Sequence, residues 1–161
     1  MKRVLFFFTL SLLLACQNES NSGNAGGSGG QTQNNGIGLP SLPAEKYSDM
    51  FRQVTNIDLI AYTTNLSMSF DEAKSVRSIL QYISKEATTL PAACEKTARI
   101  TFISDGGIYM EADVYAYDGC SAFVFFENGA QTYANMIDPL GVEFFQRFIP
   151  KEGPEQETPV Q

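Results

Sequence analysis

The chain has 161 residues, a formal charge of −7, three cysteines, and neither histidine nor tryptophan. The acidic balance argues against nucleic acid and anionic headgroups as partners, since both are bound through Lys and Arg that neutralise phosphate. The missing histidine excludes imidazole-based triads, imidazole-ligated zinc or haem, and the commonest general base near neutral pH.

At the N-terminus Lys2 and Arg3 precede a mostly apolar run from Val4 to Leu14, which closes on Ala15 and Cys16. A basic start, a short apolar centre and a small residue at the end are the layout of a secretory signal. A membrane-spanning helix needs roughly 20 apolar residues, more than this run offers. Leu13, Leu14, Ala15 and Cys16 resemble the lipobox of bacterial lipoproteins. That resemblance implies cleavage of residues 1–15 as a signal peptide. It also implies that Cys16 becomes the N-terminus, carrying a thioether-linked diacylglycerol and usually an amide-linked acyl chain. Leu14 departs from the family pattern, in which a smaller residue is more frequent at that place. Each buried methylene contributes about 0.8 kcal/mol, so one acyl chain holds marginally and two or three make a lasting anchor. In such lipoproteins an aspartate after the cysteine favours retention in the inner membrane. Gln17 stands here instead, so the resemblance implies the outer membrane of a bacterial envelope and leaves open which way the protein faces.

Residues 16–43 then read as the lipidated cysteine followed by Gly, Ser, Asn and Gln with little to bury. Such a segment cannot offset its ordering entropy and is expected to form a tether. As a coil of about 27 residues it would span on the order of 30 Å. One α+β domain is expected over residues 44–150, and residues 151–161 form a charged, proline-containing tail expected to fray.

Within the domain, alternation over residues 57–63 predicts a first strand. Ser69 and Glu72 have the spacing of a capping box, and Ala73, Val76, Ile79, Leu80 and Ile83 recur at helical spacing behind them. A hairpin follows, with Ile100 and Phe102 alternating on one arm, a turn at Asp105, Gly106 and Gly107, and a return strand from Ile108. A second hairpin turns at Asn128 and Gly129, a pair suited to a type I′ turn. Asp138 and Pro139 fit the N-cap and first position of a closing helix, with Leu140, Phe144, Phe145 and Phe148 expected inward. Met50, Phe51 and the run Phe123, Val124, Phe125 and Phe126 read as core, the run as a central strand covered on both faces. The expected fold is a small antiparallel sheet of four to five strands with two helices packed on it and one disulfide.

With Cys16 given to lipid by the resemblance, Cys94 and Cys120 remain, and an even pair in an exported protein reads as a disulfide. The first hairpin agrees: a turn within residues 105–107 sets Cys94 opposite residues 117–119, beside Cys120. Bridged Cα atoms must lie within about 7 Å.

On the return strand Tyr109, Glu111, Asp113, Tyr115 and Tyr117 share a face opposite Ile108, Met110, Ala112, Val114 and Ala116. The tyrosine-bearing face is expected to meet water, and a solvated sheet face is the ordinary reading of it. Tyrosines among carboxylates can also bind peptides or sugars, because the rings give contact area at low entropy cost. Glu111 and Asp113 as an acid and base pair would need a cleft and separated environments, which an open strand does not supply. Asp105 and Asp118 lack a calcium-loop pattern, and turn chemistry explains Asp105. No cofactor, metal or enzymatic activity is expected. The expected function is a non-enzymatic envelope lipoprotein that binds a protein or peptide partner. The alternative is a small-ligand or glycan binder using the Tyr109, Tyr115 and Tyr117 face.

Overall fold

A computed structural model describes residues 36–151. Residues 1–35, with the signal, the lipobox and Cys16, and residues 152–161 of the tail lie outside the described residues. In chain order the elements are β1 (Ile37–Gly38), α1 (Ala44–Gln53), β2 (Asn56–Ala61), β3 (Ser67–Phe70), α2 (Ala73–Gln81) and β4 (Ile83–Ala87). Then come β5 (Thr89–Leu90), β6 (Ala98–Ser104), β7 (Gly107–Tyr115), β8 (Ala122–Glu127), β9 (Ala130–Ile137) and α3 (Pro139–Phe148). Seven strands pair antiparallel in the order β3-β2-β6-β7-β8-β9-β4, and β1 pairs separately with β5. The class is α+β with one disulfide, but the sheet is wider than the expected four to five strands, and there are three helices among the described residues rather than two.

Period-two alternation builds the main core. Ile57 and Leu59 of β2, Ile100 and Phe102 of β6, Ala112 and Val114 of β7, and Phe123 and Phe125 of β8 all project to one face. The helices cover that face through Met50 of α1, Val76, Ile79 and Leu80 of α2, and Phe145 of α3. Phe102, Phe123, Phe125 and Phe145 are fully buried, and each such side chain contributes roughly 1.5–3 kcal/mol.

The hairpins form as their turn residues dictate. Asp105 with Gly106, and Asn128 with Gly129, take positive φ at both central positions, which is the backbone that matches strand twist. Asp118 and Gly119 repeat this between β7 and β8, where the Cys120 N–H donates to the Tyr117 carbonyl at 2.8 Å. That turn delivers Cys120 to Cys94, and the two are bridged with Cα atoms 5.9 Å apart.

Four local expectations are corrected. Ser69 is not a cap: it lies in β3 opposite Asp58 of β2, and its hydroxyl donates to the Asp58 carboxylate at 2.6 Å. Strand pairing lays Met68 and Phe70 against the core and outweighs the local capping pattern, so α2 starts after Glu72 without a side-chain cap and leaves Ala73 exposed. Leu140 and Phe148 do not point inward. Their exposures are 66% and 44%, because α3 seats Gly141, Phe145 and the following Ile149 on the sheet instead. The tether boundary at residue 43 also falls inside the packed fold. Ile37 pairs with Leu90, the Ala134 N–H donates to the Pro40 carbonyl at 2.9 Å, and the Leu42 N–H donates to Asn135 Oδ1 at 2.8 Å.

The last of these corrections follows from the second face of the sheet. It carries its own small core of Leu90, Tyr115, Cys120, Ala122, Val124 and Ala134, covered by Ile37, Leu39 and Cys94. The run at residues 123–126 thus has both faces used, as its composition implies: Phe123 and Phe125 face the helices, and Val124 faces the strap formed by residues 36–42.

Candidate functional site

The five residues read as one polar face are distributed over four environments. β6 and β7 slip register between Phe102 opposite Met110 and Ile103 opposite Ile108, so Tyr109 is the extra residue of a β-bulge. It packs against the helix-side core near α1, and burial raises its pKa above the ordinary value. Tyr115 is only 3% exposed, inside the second core, where burial likewise raises its pKa above the ordinary value. Tyr117 leaves the sheet altogether. Its hydroxyl donates to the Ile149 carbonyl at 2.6 Å and accepts from the Lys151 N–H at 3.1 Å.

Glu111 and Asp113 remain neighbours, bound into a charge network. Asp113 is completely buried. Its Oδ1 accepts from Arg99 Nε at 2.7 Å and from the Tyr62 hydroxyl at 3.1 Å, and Lys96 Nζ lies 2.7 Å from Oδ2. The same guanidinium reaches Glu111 at 3.6 Å and stacks 4.5 Å above the Phe126 ring. Hydrogen bonding to Asp113 raises the Lys96 pKa, against the opposing effect of burial. Each Asp113 oxygen therefore lies 2.7 Å from a cationic nitrogen, and one arginine ties both carboxylates together. That arrangement ties β6 to β7 through the buried Asp113 carboxylate.

A cavity of about 490 Å³ opens between the turn at Asn128 and the start of β7, with Tyr109, Glu111 and Lys46 in its wall. Lys46 and Glu127 form an ion pair there at 2.5 Å, and the Tyr133 hydroxyl donates to Glu127 at 3.2 Å. Their hydrogen bond raises the Lys46 pKa and lowers that of Glu127. The wall is polar, and its opposite charges satisfy each other. Among the described residues no group of three His, Cys, Asp or Glu side chains is placed to hold a metal ion, and no helix is long and apolar enough to cross a membrane.

The remaining feature is the outer flank of α3, which sequence reading placed in the core. Asp138 caps the helix by accepting from the Leu140 N–H at 2.9 Å, with Pro139 in the first turn. From that start, residues four apart fall on one line, so Leu140, Phe144 and Phe148 form a ridge. Phe144 is half-buried, with its ring centroid 5.5 Å from that of Tyr82 and 6.1 Å from that of Phe70. A shallow hollow of about 230 Å³ runs along the ridge, bordered by Tyr82, Glu143 and Arg147. The pattern was visible in the sequence as an apolar stripe; its orientation was not, because Gly141 offers no hydrophobic signal yet marks the line of closest approach.

No protein-family model, no curated protein and no solved structure matches the chain.

Proposed function

We propose that this chain is an exported, lipid-anchored envelope protein whose domain binds a protein partner and carries out no chemistry of its own. The observation that carries the reading is the ridge on α3: Leu140 at 66% exposure and Phe148 at 44%, contiguous with Phe144, on a helix capped at its start. Large apolar side chains exposed side by side on a folded domain, with charged residues at their border, are characteristic of interaction surfaces. The lipobox-like residues Leu13–Cys16 support the anchor, and the Cys94–Cys120 bridge suits an oxidising compartment outside the cytoplasm. Residues between Cys16 and Gly36 would then link lipid to domain, entering it through the strap on the second face.

Two measurements on intact bacterial cells test this reading. The wild-type chain is expected in the outer-membrane fraction and Cys16→Ser in the soluble envelope fraction; equal partition of both would remove the anchor. Chemical cross-linking with mass spectrometry is expected to recover a defined neighbour joined to the α3 side of the domain, and recovery of none above background would remove the binding role.

One observation favours a small-ligand reading as second. Tyr109 and Glu111 line the 490 Å³ cavity, although Tyr115 and Tyr117 do not. Under that reading Tyr109→Ala abolishes a ligand-induced thermal shift while preserving the fold, and a broad ligand screen without any shift contradicts it.

A further inference from the structure

The ridge on α3 has a charge pattern that selects its partner, an argument that rests on the binding role proposed above. Glu143 and Arg147 are exposed, one turn apart, and on the same flank of the ridge. Among the described residues neither takes part in an ion pair, although six such pairs are formed elsewhere. One acidic and one basic residue beside a central Phe144 form a self-complementary arrangement. A second copy of α3 laid antiparallel across the first, about a two-fold axis level with Phe145, interleaves the two ridges, with Phe144 of each copy seated between Phe144 and Phe148 of the other. The same operation sets like flanks together, so Glu143 of each copy faces Arg147 of the other. In a parallel arrangement the charged flanks would lie on opposite sides and the pairs could not form.

We infer that α3 is the contact of a symmetric homodimer, formed by the Leu140, Phe144 and Phe148 ridges and closed by two reciprocal Glu143–Arg147 pairs. The geometry suits such packing: ridges made of residues four apart are the ones that interlock in the commonest class of helix crossing. An interface about a two-fold axis must complement itself, and this flank does. An unrelated acidic or basic partner would call for one sign of charge on the rim rather than one of each. Tethering to a membrane would also concentrate the copies, since both would be confined to one surface.

The test uses the full lipidated chain, purified in a density-matched non-ionic detergent, with its association followed by sedimentation across a concentration series. The wild type is expected to dimerise. Glu143→Arg alone and Arg147→Glu alone each place like charges opposite one another at both ends of the interface, and each is expected to weaken self-association by about tenfold or more. Mixing these two single variants restores opposite charges in a heterodimer, and combining both changes in one chain restores them in a homodimer. Both preparations are expected to recover association. Since both residues are exposed, thermal unfolding of each variant, measured at a concentration where the wild type is monomeric, should match the wild type, which separates loss of contact from loss of fold.

A wild type that stays monomeric throughout overturns the inference, as does a dimer indifferent to either single change or one that neither restoration recovers. The two proposals fail differently. A monomer that still cross-links in cells from position 148 to a different protein removes the second copy and keeps the binding role. A monomer with no cross-link, or one cross-linked only to its own residues 152–161, removes both.

Discussion

The Tyr117 hydroxyl donates to the Ile149 carbonyl at 2.6 Å, which closes the C-terminal end of α3 onto the chain just beyond β7. A second tie runs parallel to it, from Gln146 Nε2 to the Ala116 carbonyl at 2.6 Å. These contacts join the last helix to the segment that directly follows β7, so the exposed ridge is carried on a fixed element. Tyr117→Phe is expected to cost about 1 kcal/mol of stability, the net worth of one such hydrogen bond. Amide exchange should quicken at the end of α3 and remain unchanged in β7. Uniform loss across the domain would show that Tyr117 does not act locally.

Gly141 sets how closely α3 approaches the sheet. A Cβ there would lie 2.6 Å from Cβ of Tyr82 and 2.8 Å from Cγ2 of Ile137. Gly141→Ala is therefore expected to destabilise by roughly 1–3 kcal/mol through overpacking, although alanine is the better helix former. A thermal melt that rises or stays level would contradict the close seating of α3.

Asp113 lies fully buried between Arg99 and Lys96. Asp113→Asn keeps the shape and removes the charge, leaving two cations without their partner. The expected loss is about 2–3 kcal/mol, below the ~3–5 kcal/mol of a fully buried pair because Arg99 and Lys96 still reach water. Urea unfolding measures it, and an unchanged midpoint would show that the network contributes nothing to stability.

The same network has a pH signature of definite sign. Hydrogen bonding to Asp113 raises the Lys96 pKa above its ordinary 10.5. A group whose folded pKa is raised stabilises fully below its unfolded value and loses that contribution as pH climbs through the folded one. Wild type should therefore be more stable than Lys96→Gln at neutral pH, with the difference shrinking above pH 10.5. A difference that stays constant through that range would show that the Lys96 charge is not what stabilises the fold.

The bridge between Cys94 and Cys120 spans a sequence separation of 26. Removing it by Cys94→Ser with Cys120→Ser is expected to cost roughly 3–4 kcal/mol in the chain-entropy model. In a domain of this size that corresponds to a Tm drop on the order of 10 °C or more. An unchanged melting temperature would refute a structural role for the bridge.

What was legible in the sequence was local or counted along the chain. Asp105–Gly106 and Asn128–Gly129 announce two-residue turns, and a turn fixes the register behind it; that is why Cys94 could be placed beside Cys120. The bulge at Tyr109 escaped, since a single extra residue leaves the alternation on either side intact while turning one ring to the other face. α1 could have been found: Tyr47, Met50, Phe51 and Val54 follow Pro43 at helical spacing. β4 could not, because it follows α2 with no intervening turn signal and buries only Ile83 of its five residues. The strap at residues 36–42 was read as tether because Gly, Leu, Pro and Ser look like linker until the sheet offers Val124 and Ala134 for Ile37 and Leu39 to cover. The five-residue polar face failed for the same reason: strand alternation tells which residues share a side, whereas cover comes from elsewhere in the chain.

The central claim, that α3 is a binding surface, is met most directly by placing a photo-activated cross-linker at position 148 of the full chain in living cells, with position 74 on α2 as an exposed control. A discrete cross-linked species from position 148, absent from position 74 and lost on Leu140→Glu, is the expected result. Indistinguishable patterns from the two positions would contradict the account.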